Sequence, residues 1–308
     1  MLNILIPTFN RSEFLLRNLE ILSEIVTKGN FTDKISLVIS DNCSTDNTYE
    51  EVVKFKARSV IDIDLYRQQT NIGLKDNVLF VLAKSTADYV MFLGDDDYIN
   101  FDFLKECMDI LTNNPDTTAI VPNCIPVSIH GEFVTGSRDV IGPSVKFSKG
   151  FDSVLQYSWK GHQMSGVVAK RRIAYEQYIK NGVDNIYPYI YFVSICGLQG
   201  SVFVIKNNPV YVTQPVQKKD WGYGPDGLIN EIFDNYRKLP VSAVQRFKLE
   251  FRMLYIQNWR LLMYKREGFN AFLKAAFSIA FAKNASPLFT LSFPFILLLI
   301  KLRIKMDL

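Results

Sequence analysis

The chain has 308 residues, of which 48% are hydrophobic and 21% charged, so it can bury a real core in one large domain with an appendage, and its bulk reads as an ordinary soluble protein. Its net charge of +4 is uneven: residues 240–308 hold 11 Lys and Arg against 3 Asp and Glu, which leaves residues 1–239 at −4. The basic residues cluster with aliphatics in the tail instead of forming a stripe, which excludes nucleic acid as a partner, and the four cysteines (43, 107, 124 and 196) form no CxxC pair, which argues against a zinc site or a disulfide framework and for a reducing cytoplasm.

From the N-terminus, residues 2–6 form an apolar run that breaks at Pro7 with no basic segment before it, unlike a secretion signal. Residues 11–25 then repeat Leu15, Leu16, Leu19, Leu22 and Ile25 at helical spacing. A second apolar strand over 35–40 ends in Asp41-Asn42-Cys43-Ser44-Thr45-Asp46, followed by a helix over 48–57. Residues 61–66 give a third strand, 76–84 a helix, 89–93 a fourth strand and 101–111 a helix. Four apolar runs alternating with helices predict a mostly parallel central sheet covered on both faces, an α/β fold. Ligands of such sheets bind beyond the carboxyl ends of the strands, where Pro7 to Asn10, Asp41 to Asp46 and Asp95 to Asp97 all fall. Beyond residue 118 the pattern breaks into short strands and loops that shape the second half of a cleft: 161–168 feeds a strand, 201–205 and 210–212 are further strands, and 214–227 reads as a flap.

The most informative junction is Phe92-Leu93-Gly94-Asp95-Asp96-Asp97-Tyr98, an apolar strand running into three consecutive carboxylates. Like charges this close repel and raise one another's pKa, so the cluster points to a divalent cation, a phosphate-bearing ligand that carries one, or both. Asp97 and Asp95 are the candidate metal ligands.

Pro7-Thr8-Phe9-Asn10-Arg11, then residues 38–48, then Asn71-Ile72-Gly73, then residues 92–98 together resemble the ordered signature of inverting family 2 glycosyltransferases with the Rossmann-like GT-A fold. The resemblance covers residues 2–125 and implies transfer of a hexosyl or deoxyhexosyl group from a nucleotide-sugar, with Mn²⁺ or Mg²⁺ bridging its diphosphate and the acidic motif and with Asp95 and Asp96 near the donor. For such a donor, Asp41 can accept hydrogen bonds from a base or ribose, Pro7, Thr8, Phe9 and Asn10 offer a flat surface and backbone groups beside the base, and Lys75 can meet the nucleotide or its phosphates. It implies a GT-A domain over 1–235, divided into a nucleotide-sugar half (1–118) and an acceptor half (119–235), with a helical extension over 236–308. An inverting enzyme needs a base for the acceptor hydroxyl. Many relatives carry a Glu-Asp pair for this, and none stands around 181–195 here; Asp184 is the nearest carboxylate, His162 is the alternative, and Asp220 and Asp226 lie behind it. A second departure is Gly94, where many relatives have the first Asp of the motif.

In the tail, residues 247–264 and 269–281 carry apolar and aromatic residues at helical intervals with Lys and Arg between them, and residues 288–300 are nearly unbroken apolar before Lys301, Arg303 and Lys305. Thirteen apolar residues interrupted by Pro294 fall short of the roughly 20 that span a bilayer. The tail is therefore expected to lie on the inner face of the cytoplasmic membrane, with Lys301, Arg303 and Lys305 toward anionic headgroups. The competing expectation is a helical pair packed on the catalytic domain or on another subunit. A membrane position suits a lipid-linked saccharide acceptor of surface polysaccharide or O-antigen (lipopolysaccharide) synthesis, and removal of residues 285–308 is expected to release the protein while sparing the donor chemistry. Two other classes compete: a catalytically silent sugar- or lipid-binding scaffold on the same fold, and a nucleotidyltransferase, which the lack of a Gly-rich basic loop after the first strand disfavours.

Overall fold

The computed structural model describes residues 1–134, 139, 141–214 and 222–306, and of residues 304–306 the backbone alone. Each apolar run of the first half is a strand and each periodic stretch a helix: β1 (Leu2–Thr8), α1 (Ser12–Lys28), β2 (Ile35–Asp41), α2 (Thr48–Arg58), β3 (Asp62–Arg67), α3 (Leu74–Lys84), β4 (Tyr89–Phe92) and α4 (Phe101–Asn113). The second half continues with β5 (Thr117–Val127), β6 (Val145–Phe147), α5 (Phe151–Tyr157), β7 (Val168–Lys170), α6 (Arg171–Asn181), α7 (Pro188–Gly197) and β8 (Ser201–Thr213). The tail holds α8 (Ile229–Arg237), α9 (Ala243–Ile256), α10 (Trp259–Leu262), α11 (Phe269–Ala280) and α12 (Pro287–Met306).

These strands form one sheet in the order β3-β2-β1-β4-β7-β5-β8-β6. β1 to β4 pair in parallel, β5 pairs in parallel with β8, and β7 is antiparallel to both β4 and β5. In-register pairing sets Thr8 opposite Asp41 at the carboxyl ends of β1 and β2. The short strands expected beyond residue 118 are found in β6 and β7, of three residues each, with β7 following the 161–168 segment, and are corrected for β5 and β8. β5 and β8 are long, joined across irregularities near Thr117/Ala119 and Pro122/Cys124, and the helices α5, α6 and α7 intervene. All ten residues of α7 are buried, so its sequence shows no polar face from which a period is read.

Two cores cover the sheet. One, under α1, α2 and α4, gathers Leu15, Leu19, Val52, Phe55, Phe103 and Leu104 with alternate residues of the strands. The other runs from Leu5 and Phe92 through Phe192 and Phe233 to Phe289 and Ile300. The tail thus shares the larger core, and the ring of Phe289 meets that of Phe233 edge-on at 4.8 Å. Buried Glu250 of α9 accepts from Arg246 Nε at 2.8 Å and from the backbone N–H of Ser286 at 3.1 Å, which locks the entry to α12. This corrects the expectation that residues 285–308 can be removed cleanly. Among the described residues no helix is long and apolar enough to cross a membrane.

Candidate active site

Three strand ends converge. The Thr8 hydroxyl donates to Asp95 Oδ2 at 2.8 Å, so the turn after β1 and the acidic loop after β4 touch directly. Asn42 N–H donates to the Thr8 carbonyl at 2.9 Å, which brings the loop after β2 to the same edge. Asn10 adopts a left-handed φ of 52°, a conformation asparagine tolerates, and its Oδ1 accepts from Thr45 N–H at 2.8 Å. Cys43 is also left-handed at φ 65°, a costlier state for its side chain. The buried Asp41 carboxylate steadies that turn, accepting from Ser44 N–H at 3.2 Å and facing Arg67 Nε at 3.3 Å.

The acidic loop is gripped from three sides. Buried Asn18 of α1 donates to the carbonyls of Gly94 at 3.0 Å and Asp97 at 2.9 Å. Ser165 donates to Asp97 Oδ2 and accepts from Gly94 N–H at 2.9 Å. Thr213 N–H donates to Asp97 Oδ1 at 2.8 Å and its hydroxyl donates to the Asp96 carbonyl, while Tyr98 and Tyr211 exchange a pair of backbone hydrogen bonds at 2.9 Å. A Cβ on Gly94 would lie 3.0 Å from Asp97 Oδ2 and 3.2 Å from Ser165 Oγ. The departure at Gly94 therefore makes room for the Ser165–Asp97 bond.

Desolvation, reinforced by the neighbouring Asp96 charge, pushes Asp95 and Asp97 each up to about 7, against the opposing pull of the Thr8 and Ser165 hydrogen bonds. The folded state thus holds protons that an unfolded aspartate gives up near pH 4, and these two groups favour folding below that pH and progressively less as pH rises through about 7. A ligand-free melting series is expected to show the wild type losing about 5 °C or more between roughly pH 5 and pH 8 relative to a D95N/D97N variant. Parallel curves for the two proteins would refute this electrostatic picture.

This donor set fits a hard divalent cation: both groups are carboxylates, hard oxygen ligands whose mutual repulsion a cation relieves. Among the described residues no three His, Cys, Asp or Glu side chains are grouped to hold a metal alone, so Asp95 and Asp97 could supply only part of a coordination shell, the rest of which substrate phosphate and water would have to complete.

The remaining candidates fall in two places. Asn42 Nδ2 donates to Asn71 Oδ1, which also receives Gly73 N–H, and this fixes the start of α3 that carries Lys75. Lys75 forms an ion pair with Asp184, and the hydrogen bond it donates to that carboxylate raises the lysine above its ordinary value. Asp184 is largely exposed, and its loop is held by α8, where Asp234 accepts from Asp184 N–H at 3.2 Å. His162 faces elsewhere: its Nδ1 lies 2.9 Å from both the Trp159 carbonyl and Gln257 Nε2, and its ring stacks on Trp159. Asp226 accepts from the N–H groups of Leu228 and Asn230 at the start of α8, and Phe9 is exposed. Of the expected flap, residues 215–221, Asp220 among them, lie outside the described residues. Asn18, Arg67, Ser165 and Thr213 carry no signal of their own in the sequence, because their partners lie 68 to 117 residues away for the acidic loop and 26 for Arg67 and Asp41.

Residues 3–165 match the family model described as glycosyl transferase family 2. The chain belongs to that family. Among curated family relatives, it is 31% identical over 124 residues to the abequosyltransferase RfbV of Salmonella typhimurium, covering 40% of this chain and 35% of that protein. It is 28% identical over 105 residues to the poly(ribitol-phosphate) beta-N-acetylglucosaminyltransferase TarS of Staphylococcus aureus, covering 34% of this chain and 18% of that one. The matched segments thus span only about a third or less of the length of these relatives. Among solved structures, S. aureus TarS 1–349 in complex with UDP-GlcNAc superposes with a TM-score of 0.72 at 14% identity, covering 97% of this chain and 86% of that one. The mannosyltransferase PcManGT from Pyrobaculum calidifontis, in complex with GDP-Man and Mn²⁺, gives a TM-score of 0.54 at 14% identity over 98% of this chain and 86% of that one. At such identity the superpositions establish the fold, which is the GT-A arrangement of this glycosyl transferase family.

Proposed function

We propose that the protein transfers a hexosyl or deoxyhexosyl group from a nucleotide-sugar, with inversion, to a saccharide or lipid-linked acceptor in surface polysaccharide synthesis. The observation that carries this reading is the clamped Asp95–Asp97 loop, which concentrates negative charge where β1, β2 and β4 end. The Pro7–Asn10 turn and Asp41 receive the nucleoside, and Lys75 stands toward its phosphates. Asp95 and Asp97 would hold Mn²⁺ or Mg²⁺, which would supply positive charge against the departing diphosphate. Asp97, fixed through both oxygens, and Asp95, fixed by Thr8, hold their side chains in place before substrate arrives, so little reorganisation is needed at the moment of reaction.

Asp184 takes the proton from the acceptor hydroxyl in this reading, and Lys75 orients its carboxylate. His162 is already engaged by Trp159 and Gln257. Asp184→Asn is expected to lower kcat by about 10²-fold or more with the donor KM little changed, whereas His162→Gln stays within about tenfold of wild type. Full activity of the Asp184 variant would remove it from this role. The protein works on the inner face of the cytoplasmic membrane, with its basic tail toward the lipid.

Melting and calorimetry with UDP-, GDP-, CDP- and dTDP-sugars, with and without Mn²⁺, followed by transfer assays with the donor that binds, test the whole proposal. Metal-dependent binding of one donor followed by turnover supports it. Binding without turnover of any donor favours the silent scaffold, the second reading, which the missing Glu-Asp pair supports. A nucleotidyltransferase would instead release pyrophosphate from a nucleoside triphosphate.

A further inference from the structure

The tail helices keep one face in the core and present another that is apolar and uncovered. On α12, Phe289, Phe293, Ile296 and Ile300 are buried, while Leu288, Leu291, Phe295, Leu298 and Leu302 are exposed at alternating steps of three and four residues. On α11 and just past its end, Phe269, Leu273, Phe277 and Phe281 are exposed at every fourth position. These spacings draw a continuous stripe along each helix, and contiguous exposed apolar surface of this kind marks a contact site.

A cleft of about 590 Å³ opens between α10, α11 and α12. Leu262, Phe272, Leu297 and Leu298 line it, and Lys265 and Lys301 join them. Lys265 Nζ lies 5.2 Å from the centre of the Phe272 ring, so an ammonium stands beside the apolar wall. Both lysines are exposed. An apolar slot with two cations suits a ligand that has a hydrocarbon chain and an anionic head. A second copy of this surface would bring Lys265, Arg266 and Lys301 against their own kind, and like charges across an interface oppose association.

We infer that this cleft binds the chain of an anionic phospholipid, with its phosphate between Lys265 and Lys301, and that the two flanking stripes rest in the acyl boundary of the membrane. The inference deepens the membrane part of the proposed function and rests on it, but it needs none of the sugar chemistry. Basic side chains then meet the headgroups while Phe and Leu enter the apolar layer, the pattern of an in-plane helix anchor.

The test is calorimetry of the full chain with monomeric lysophosphatidylglycerol, lysophosphatidylcholine and inorganic phosphate, with sedimentation on phosphatidylglycerol-containing vesicles in parallel. Saturable binding of one lysophosphatidylglycerol is expected, with lysophosphatidylcholine at least about tenfold weaker and no binding of inorganic phosphate, since the cleft recognises chain and charge together. The K265E/K301E variant is expected to lose at least about tenfold in lysophosphatidylglycerol and vesicle affinity, while K54E/K56E, the same charge change on exposed lysines of α2, stays within about twofold. Melting temperatures of both variants establish that they are folded. Equal losses in the two variants would show diffuse charge attraction and overturn the site, as would the absence of saturable lysolipid binding, binding of phosphate alone, or a lipid-indifferent dimer that buries the stripes. Lipid binding without donor turnover overturns the catalytic reading alone, and sugar transfer without lipid binding overturns this inference alone.

Discussion

Asp97→Asn is expected to reduce sugar transfer by about 10³-fold or more while raising the melting temperature of the ligand-free protein. The two effects have one origin. Asp97 carries both oxygens into hydrogen bonds, from Ser165 and from Thr213 N–H, beside two further carboxylates whose charge opposes its own. Asparagine keeps the shape, retains one oxygen for Thr213 and presents its amide to Ser165, whose hydroxyl can turn to accept. The repulsion falls, so the fold gains; the anionic ligand that would hold a cation against the departing diphosphate is lost, so transfer fails. Steady-state kinetics at saturating acceptor and a ligand-free melt on the same preparation check both halves. Activity within about tenfold of wild type, or a lower melting temperature, would separate Asp97 from the chemistry assigned to it.

Deleting α12 is expected to give no folded protein. Phe289, Phe293, Ile296 and Ile300 are each at most 5% exposed, and burying side chains of this kind contributes about 1.5 to 3 kcal/mol apiece. Their joint loss, on the order of 6 to 12 kcal/mol, matches the whole stability of a typical domain. Phe289→Ala alone is expected to cost about 3 to 5 kcal/mol, because it empties a site packed against Phe233. Leu291→Glu, on the exposed face, is expected to leave urea unfolding within about 0.5 kcal/mol of wild type. A truncated chain that melts cooperatively near the wild-type temperature would show that the tail is an appendage after all.

The first half is legible because β1, β2 and β4 are mostly apolar and run abruptly into polar residues, so the order of residues alone sets Thr8, Asp41 and Asp95 at a common edge. The supporting cast is not. Ser165 and Thr213 sit in ordinary-looking stretches and acquire their roles only when β4, β7 and β8 bring distant segments to one loop. α7 is hidden for a different reason, since a helix buried all round leaves no polar stripe in its sequence. The tail is legible by half: its exposed Phe and Leu are where the periodicity puts them, but the same helices also complete the core.

The unequal reach of the two cores has a consequence for biosynthesis. Among the described residues, the buried layer under α1, α2 and α4 draws on nothing beyond Val210, whereas the opposite layer includes both Leu5 and Ile300. During translation the first layer can consolidate once Val210 has emerged, but the second must wait for α12 to clear the ribosome. Until then the faces of α8 and α9 against which α12 packs stay open to solvent or to whatever chaperone reaches them first.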